Sequence, residues 1–556
     1  MAQEAHASAT EQRGAFAPLR ERVFRNIWTA SLFTNFSQMF LSVGAAWEMT
    51  RLSSSPTMVA LVQTAMMLPL MLVTLPAGAI ADMFDRRKIA MSGLAFSAVS
   101  AAALTVVAFL GMTTPWLLLG FCLLIGAGVA LFSPSWQASI PEQVSREHLP
   151  AAIALGTISF NVARSFGPAL GGVIVLAAGA EAVFGLTCIL YTPLLIAFAL
   201  WKRQQVPSRL PPERIDRAIV GGVRYARHSP LIRTALVRSF AFGLATATAM
   251  GLAPLVAKDL LHGDAVTFGT MLGAQGAGAV MGALFVGRLR EKVGVERAIR
   301  LFAIGSGLSL IAIGLSHSLV TTCAAFAVIG ACNILTIALL NVTVQMSAPR
   351  WVTARALSLF SSALTAGLGV GAWAWGEFAA SQGLSVAFVT SGIAAICTVG
   401  LGFLLPLGLE ADTDTSTVGI RHDPDVGMDL RLRSGPVVIE IEYDVDNQRA
   451  REFYEVMGQI RNLRMRLNGF DWSISRDIQN PSLWIERYHC PTWGDYLRMR
   501  DRYSQSDLEL QARAGTFNDT GNALRVRRML ERPFGSVRWK ADSPDPLQDT
   551  ISYIAP

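Results

Sequence analysis

Apolar residues in this chain do not alternate with polar ones at the spacing of a half-buried helix or strand; they run on. Twelve apolar stretches lie near 27–50, 57–81, 88–112, 115–137, 150–177, 181–201, 231–256, 265–287, 295–316, 319–345, 353–378 and 383–408. A helix of about 20 such residues spans the hydrocarbon core of a bilayer. The gaps between the stretches fall into two sets. One holds the N-terminal segment, Arg86-Arg87-Lys88, Arg146, the Lys202–Arg233 loop, Arg288 to Lys292, and Arg350 with Arg355. The other holds Arg51, Lys258 and almost no further basic residue. Basic loops stay on the cytoplasmic side, so this alternation predicts twelve crossings with both termini in the cytoplasm.

The pattern changes after residue 408. Residues 409–436 are rich in Asp, Thr, Ser and Gly and read as a linker. Beyond them the periodicity is that of a small α+β domain. A strand at Pro436–Tyr443 precedes a helix over 447–467, with Phe453, Val456, Ile460 and Leu463 on one face. Strands over 469–477 and 482–490 are split by Asn480-Pro481, and a helix starts at Trp493. The last residues, with Pro533, Pro544 and Pro546, read as loose. Earlier, Pro207, Pro211 and Pro212 precede Ile215, Ile219, Val223 and Tyr225, which are set among Arg214, Arg217, Arg224 and Arg227. That is either an amphipathic helix on the cytoplasmic interface or a plain basic linker. The layout is therefore an N-terminal tail (1–25), a first six-helix half (26–202), a linker (203–230), a second half (231–408), a linker (409–436), the α+β domain (437–530) and a loose end (531–556).

Composition agrees with a membrane protein. Of 556 residues, 52% are hydrophobic and 16% charged, against about 25% charged in soluble domains. The net charge is +7. The segment after residue 408 holds about 20 basic and 24 acidic residues, leaving 27 and 16 in front. The basic excess sits in loops and forms no stripe with interleaved aromatics, which argues against a nucleic-acid partner. Cys122, Cys188, Cys323, Cys332, Cys397 and Cys490 show no metal-ligand spacing. No metal or other cofactor is expected. The first 25 residues carry Arg13, Arg20, Arg22 and Arg25 without an apolar core, so no cleaved signal peptide is expected. No phosphate-cradling loop is present, so ATP is not the expected energy source.

The chain also repeats itself. Gln137-Ala-Ser139-Ile-Pro141 closes the fourth stretch, and Gln345-Met-Ser347-Ala-Pro349 closes the tenth, about 208 residues later. A parallel repeat of two six-helix halves places substrate between the halves. Candidate cavity residues follow from depth. Arg164 lies about 13 residues into its stretch, roughly 20 Å along the helix, near mid-membrane. A charge there costs at least ~2.5–3.5 kcal/mol, so it faces a wet cavity or a partner. No acid lies at its depth. Arg164 therefore suits an anionic or catechol-like substrate, or it hydrogen-bonds helix carbonyls and locks two helices together. Asn35, Gln38, Asn161, Gln275 and Asn333 are the other mid-depth polar residues singled out. Stretches three, six, nine and twelve carry no amide or charge at mid-depth. Glu48, Asp82 and Glu377 are the candidates for ion coupling, with Glu48 first.

Two motifs add a family. Gly78-Ala-Ile-Ala-Asp82-Met-Phe-Asp85-Arg86-Arg87-Lys88 joins the second and third stretches. Its acid sits at a helix exit beside a basic turn, where it can pair in one conformation and release in another, or the basic turn only sets topology. The loop resembles the signature of the major facilitator superfamily. That resemblance implies a cytoplasmic latch of Gly78, Asp82, Asp85, Arg86 and Arg87. The second half, Gly282 to Arg288, lacks the acid, which makes the latch one-sided. Arg164-Ser-Phe-Gly167-Pro168-Ala-Leu-Gly171-Gly172 resembles the core of the superfamily's antiporter motif. It implies a bent fifth helix that packs closely on a neighbour. Ala154 and Ala163 stand where that motif has glycines, and Cys122 stands where many drug–proton antiporters carry Arg.

Pro134, Gln137, Pro141 and Arg164-x-x-Gly-Pro, with Trp472 to Pro481, Trp484, Glu486 and Trp493 to Leu497, are similar to the bacterial transmembrane secretion effectors, enterobactin exporters included. The resemblance covers about residues 20–530. It implies an all-α membrane protein with a twelve-helix major facilitator fold and a small cytoplasmic α+β ferredoxin-like domain. It also implies export of siderophores, antibiotics or drug-like molecules across the bacterial inner membrane, with proton coupling. The tail resembles an antibiotic-biosynthesis monooxygenase fold, whose family pairs as dimers, so a homodimer through the tail is one expectation. Trp472, Tyr488 and His489 are candidates to line a small pocket, but no catalytic constellation is recognisable, and no enzyme activity is expected. The alternatives are an importer of the same fold or a membrane-anchored oxygenase.

Overall fold

The computed structural model describes residues 16–83, 85–145, 148–202, 215–349, 352–407, 424, 426–428, 430–518 and 524–531. The chain forms two compact units. One comprises 1–219, 234–342 and 357–407; the other comprises 220–233, 343–356 and 408–556. Two short segments adjoining long apolar helices, 220–233 and 343–356, group with the tail in this division.

The first unit is helical. Its long elements are α1 (Arg22–Leu52), α2 (Pro56–Met83), α3 (Arg86–Phe109), α4 (Pro115–Ser139) and α5 (Leu149–Leu200). The linker helix α6 (Ile215–His228) leads into α7 (Pro230–Thr246), which continues through short turns to Leu260. Then come α8 (Ala265–Val293), α9 (Val295–Leu315), α10 (Leu319–Ser347), α11 (Thr353–Gln382) and α12 (Leu384–Leu404). In lipid, backbone polar groups find partners only within the chain, and helices satisfy them locally. Starts follow local chemistry: Asp85 caps α3 by accepting from Arg87 N, and Thr114 caps α4 by accepting from Leu117 N. Nine helical segments among the described residues are long and apolar enough to cross a membrane. Two long helices fall outside that set. α1 carries charges near both ends and several Ser, Thr, Asn and Gln; α8 is rich in Gly and Ala rather than long apolar side chains. The 52-residue α5 is two arms joined at Gly179, which leaves the helical region at φ 83°, a conformation that favours glycine.

Packing rests on small residues. α1 lies on α5, α2 and α3 on α4, α9 on α12, and α8 on α5. Among the described residues, the α5–α8 seam is a close contact with no room for a side chain on Gly172 or Gly276. A Cβ on Gly172 would lie 2.4 Å from Ala265 O, and one on Gly276 would lie 2.4 Å from Ser165 Cα. Close approach of this kind is how helices associate in lipid, where apolar burial gives no drive of its own.

The second unit carries a four-stranded sheet. Its strands are β1 (Val437–Asp444), β2 (Phe470–Arg476), β3 (Leu483–Cys490) and β4 (Arg525–Leu530). They are ordered β2-β3-β1-β4 and antiparallel throughout, with Ile439 opposite Tyr488 on one side and Arg528 on the other. Helices α13 (Ala450–Arg466), α14 (Trp493–Asp501) and α15 (Gln505–Gly515) complete it. Val437, Ile439, Ile441 and Tyr443 alternate onto the core face, against Phe453, Val456, Ile460 and Leu463 of α13. Each such side chain contributes about 1.5–3 kcal/mol by burial.

Candidate functional site

Arg164 sits on the first arm of α5 and is half-buried. Among the described residues, no hydrogen-bond or ion-pair partner faces its guanidinium. Its backbone is committed to the seam: a Cβ on Gly276 of α8 would lie 2.6 Å from Arg164 O. The expected bend residues share this packing. Gly167 faces Met39 of α1, and Gly171 faces Phe40 and Val43 of α1. Pro168 O and Gly172 face Gly269 of α8. The abrupt break in α5 comes later, at Gly179.

The other mid-depth residues divide. Asn35 of α1 donates to Ser159 Oγ of α5 at 3.0 Å, about one turn before Arg164. Asn161 donates to Thr157 O of its own helix at 2.9 Å. Gln38 is half-buried on α1. Gln275 precedes the seam glycine Gly276, is 5% exposed, and its buried Nε2 has no partner among the described residues. Asn333 lies elsewhere; its Oδ1 accepts from Ser306 Oγ of α9 at 3.5 Å. Asn35, Arg164 and Gln275 therefore gather along the α1–α5–α8 packing, while Asn333 joins α10 to α9.

At the end of the first unit remote from the N-terminus, the two halves are pinned. Lys258 Nζ donates to Thr50 O at 2.6 Å. Thr57 Oγ1 donates to Glu377 Oε2 at 3.0 Å, and Thr64 Oγ1 to Gly369 O at 2.8 Å. Glu48 is buried and accepts from Arg51, one turn on, at 3.1 Å. Trp47 stacks on Phe268 of α8 with centroids 6.3 Å apart. Beneath this layer, Ser42, Gln63, Gly251 and Phe268 help line a cavity of about 20 Å³, enough for a water or two.

At the opposite end the charges work within each half. Asp85 caps α3; Arg86 Nη1 reaches Glu142 Oε1 at 3.2 Å; Arg87 Nη2 donates to Ala199 O, at the end of α5, at 2.5 Å. The surroundings of Gly78 and the Asp82 side chain lie outside what is described. The second half has a parallel arrangement. Glu296, in the first turn of α9, accepts from Arg238 of α7 at 2.6 Å and from Arg300 at 3.0 Å. Arg300 also donates to Gly402 O, near the end of α12, at 2.8 Å, and covers the Phe403 ring at 3.9 Å. Arg87 and Arg300 thus do the same job in the two halves, each closing the last turn of an apolar helix where carbonyls lack helical partners. Glu142 and Glu296 escaped the sequence reading. Glu296 and Arg300 at i,i+4 heading an apolar stretch were the available signal.

In the second unit, polar chemistry is buried under the sheet. Arg464 of α13 (2% exposed) donates to Glu486 of β3 (0%) at 3.0 Å. Glu486 also accepts from Trp472 Nε1 at 3.1 Å and Tyr443 OH at 3.2 Å. Arg464 donates further to Tyr503 OH at 2.7 Å and to Gln511 at 3.1 Å. Burial alone pulls the Arg464 guanidinium down, yet Glu486 lifts it well above its ordinary value; it stays charged. Burial, then Glu486, raises the Tyr443 phenol. Trp472 and Tyr488 face this cluster, with Arg464 4.8 Å over the Tyr488 ring. His489, next along β3, faces the other side of the sheet, against Phe470 at 5.4 Å. The three side chains do not share a pocket. Among the described residues no group of His, Cys, Asp and Glu could hold a metal.

The fold and its interior polar residues define a class, a multi-pass helical membrane protein of transporter architecture. The chain belongs to the transmembrane secretion effector family, whose model matches residues 13–534. It is 27% identical over 252 residues to the multidrug efflux pump Tap of Mycolicibacterium fortuitum, covering 44% of this chain and 61% of that protein. It is 26% identical over 276 residues to the enterobactin exporter EntS of Citrobacter koseri, covering 49% and 64%. The chain thus spans about three-fifths of the length of these curated relatives. Among solved structures, a bacterial homologue of the human lysosomal transporter Spinster, inward-facing and unoccupied, matches with a TM-score of 0.55 at 14% identity, covering 70% of this chain and 97% of that one. That likeness establishes the fold alone.

Proposed function

We propose that the protein is a secondary exporter of small anionic or catechol-bearing molecules, of the siderophore or drug-like kind, working by alternating access in a bacterial inner membrane. The observation that carries this reading is Arg164, a mid-helix cation without a protein partner among the described residues. Its burial costs at least ~2.5–3.5 kcal/mol, which an anionic substrate offsets when it binds. Asn35 and Gln275 stand beside it as the polar groups that orient the ligand. The efflux and siderophore-export names of the relatives support the direction.

In this reading α5 crosses twice and α1 and α8 cross as well, bringing the crossings to twelve, with both termini cytoplasmic. The pinned end is the outer one, so the cavity opens inward. The Gly78–Arg87 loop, with Asp82, latches the cytoplasmic side when the halves rock. Proton antiport is the proposed energy source, with Glu48 the first candidate carrier and Glu377 and Asp82 behind it. The tail's β-α-β-β-α-α-β order is the ferredoxin-like arrangement, and its role is structural or regulatory, with pairing of two tails as one form of it.

The test is counterflow in proteoliposomes with a panel of siderophores and antibiotics, with and without a pH gradient. Loss of a charge-assisted contact costs about 1.5–3 kcal/mol. Arg164→Ala is therefore expected to weaken anionic substrates about ten- to 150-fold and to spare neutral ones. Equal transport of anionic substrates by both proteins removes Arg164 from the site. Uptake against the expected direction replaces export with import.

A further inference from the structure

The second unit contains a contact that the export reading does not use. The α13 helix ends in a tight turn. Leu467 is buried, Asn468 takes a left-handed backbone (φ 79°), and Gly469 packs so that a Cβ would lie 2.9 Å from Arg464 O. This turn presents two acceptors, Asn468 Oδ1 and Gly469 O. Arg224 of the linker helix α6 donates Nη1 to both, at 3.3 and 3.4 Å.

The next residue of α6 extends the contact. Tyr225 is 2% exposed, and its ring lies 5.6 Å from the guanidinium of Arg466. Its hydroxyl donates to Ser347 O, the last residue of α10, at 3.5 Å. Burial, first of all, pushes the Tyr225 phenol up to about 12, so it remains a neutral donor. One turn earlier Gly222 admits the Arg355 side chain of α11; a Cβ there would lie 3.1 Å from Arg355 Cβ. Four segments meet: the α13–β2 turn, α6, the end of α10 and the start of α11.

The chemistry of this junction contrasts with the tail's interior. Arg464 and Glu486 meet at 3.0 Å with both side chains buried. The described contacts of the junction include bonds of 3.3–3.5 Å and a cation–π contact near the outer limit of about 6 Å. The tail can therefore leave α6 without losing its own core. α6 is separated from α7 by Ser229 alone, and α10 and α11 are themselves membrane-spanning candidates. Whatever holds these segments together restrains any motion of one helix end against another.

We propose that the α13–β2 turn is an intramolecular clasp: docked on Arg224 and Tyr225, it fixes the linker helix to the α10–α11 ends and slows transport, and its release speeds transport. The rate effect rests on the exporter reading; the clasp itself does not. The experiment uses the full chain in proteoliposomes, with Arg224→Ala, Asn468→Gly and Tyr225→Leu. Asn468→Gly keeps the left-handed turn and removes only the acceptor. Hydrogen exchange is read at α6 and, as a folding control, at β1 and β3.

The expected result is amide exchange in α6 two- to fivefold faster, the change corresponding to about 0.5–1 kcal/mol for a cation–π contact of this exposure, with β1 and β3 unchanged. Transport of a substrate found by the counterflow panel rises by a similar factor. Unchanged exchange in α6 overturns the clasp. Faster exchange with transport unchanged or slower overturns its role as a brake. A wild-type protein that moves no substrate defeats the exporter reading, while the exchange arm still decides the clasp.

Discussion

The α5–α8 seam gives the sharpest steric prediction. Gly276→Ala adds one methyl whose carbon would lie 2.4 Å from Ser165 Cα and 2.6 Å from Arg164 O. Both neighbours are backbone, so no side chain can swing aside. Ordinary carbon contacts need about 3.5–4.0 Å, so the helices must part by about 1 Å along this stretch. Overpacking of this size costs ~1–3 kcal/mol. Alanine also favours a helix over glycine by up to ~1 kcal/mol, which masks part of the loss. Gly400→Ala on α12 removes that ambiguity, because a Cβ there meets nothing within 4 Å. The difference between the two variants isolates the steric cost. The seam joins the two halves, so the cost falls on the pinned arrangement and shifts its population about five- to 150-fold. Thermal melting in detergent and maleimide labelling of a Thr64→Cys reporter, at the pinned end, read both effects. Gly276→Ala is expected to melt below Gly400→Ala and to label faster. Equal melting and equal labelling in the two variants refute the close-packed seam.

Three further outcomes follow from charged and buried groups. Glu296→Gln leaves Arg238, 5% exposed, and Arg300 without their carboxylate; breaking such a pair costs up to about 3–5 kcal/mol, so the melting temperature falls, whereas an unchanged melt makes the cluster ornamental. Glu486→Gln strands Arg464 beneath the sheet, with a loss of similar size, and hydrogen exchange in β1 and β3 of the full chain is expected to accelerate while the spanning helices do not change. Burial pushes the Cys490 thiol and the Tyr503 phenol up to about 12. Their neutral forms are favoured in the folded tail, so its stability is intact below the unfolded pKa values, near 9 for the thiol and 10 for the phenol, and falls as pH rises from there toward 12. A tail melting temperature that stays flat from about pH 9 to 11.5 contradicts that burial.

Much of the architecture was legible because lipid imposes a simple rule. A continuous apolar run reads as a spanning helix, and even the break between the fifth and sixth runs, expected between 177 and 181, falls at Gly179. In the tail, β1, β2, β3 and α13 were legible from alternation and helical spacing. β4 was not, because Arg525, Arg527 and Arg528 hide a strand whose core side is only Val526, Arg528 and Leu530. α15 was missed because its apolar stripe is thin, although Ser504 and Asp507 form a capping box visible in the sequence. Partners distant in the chain were beyond reach: nothing in the sequence joins Arg238 to Glu296, or Arg86 to Glu142. Tyr488 and His489 were open to correction from the sequence, since neighbours on a strand face opposite ways.

What separates Arg164 from the other cations of the helical unit is how they are held. Arg86 has Glu142, Arg87 has a carbonyl of α5, Arg238 and Arg300 share Glu296, Arg51 has Glu48, and Lys258 has Thr50 O. Arg51, Arg86, Arg87 and Lys258 lie near helix ends, where water or a loop could have served instead, whereas Arg238, midway along α7 and 5% exposed, is held by Glu296. Arg164 lies far from either end of its arm, where solvation is poorest, and it is the one in this comparison without a protein partner among the described residues. If its purpose were to lock two helices, the same seam would supply the acceptor. Instead, Arg164 O and Ser165 pack against Gly276 through backbone alone, and the guanidinium plays no part in the contact. For the six cations named here, the protein itself supplies the partner. At Arg164 the proposed anionic cargo would supply the missing partner, and this absence among the described residues is the main support for that proposal.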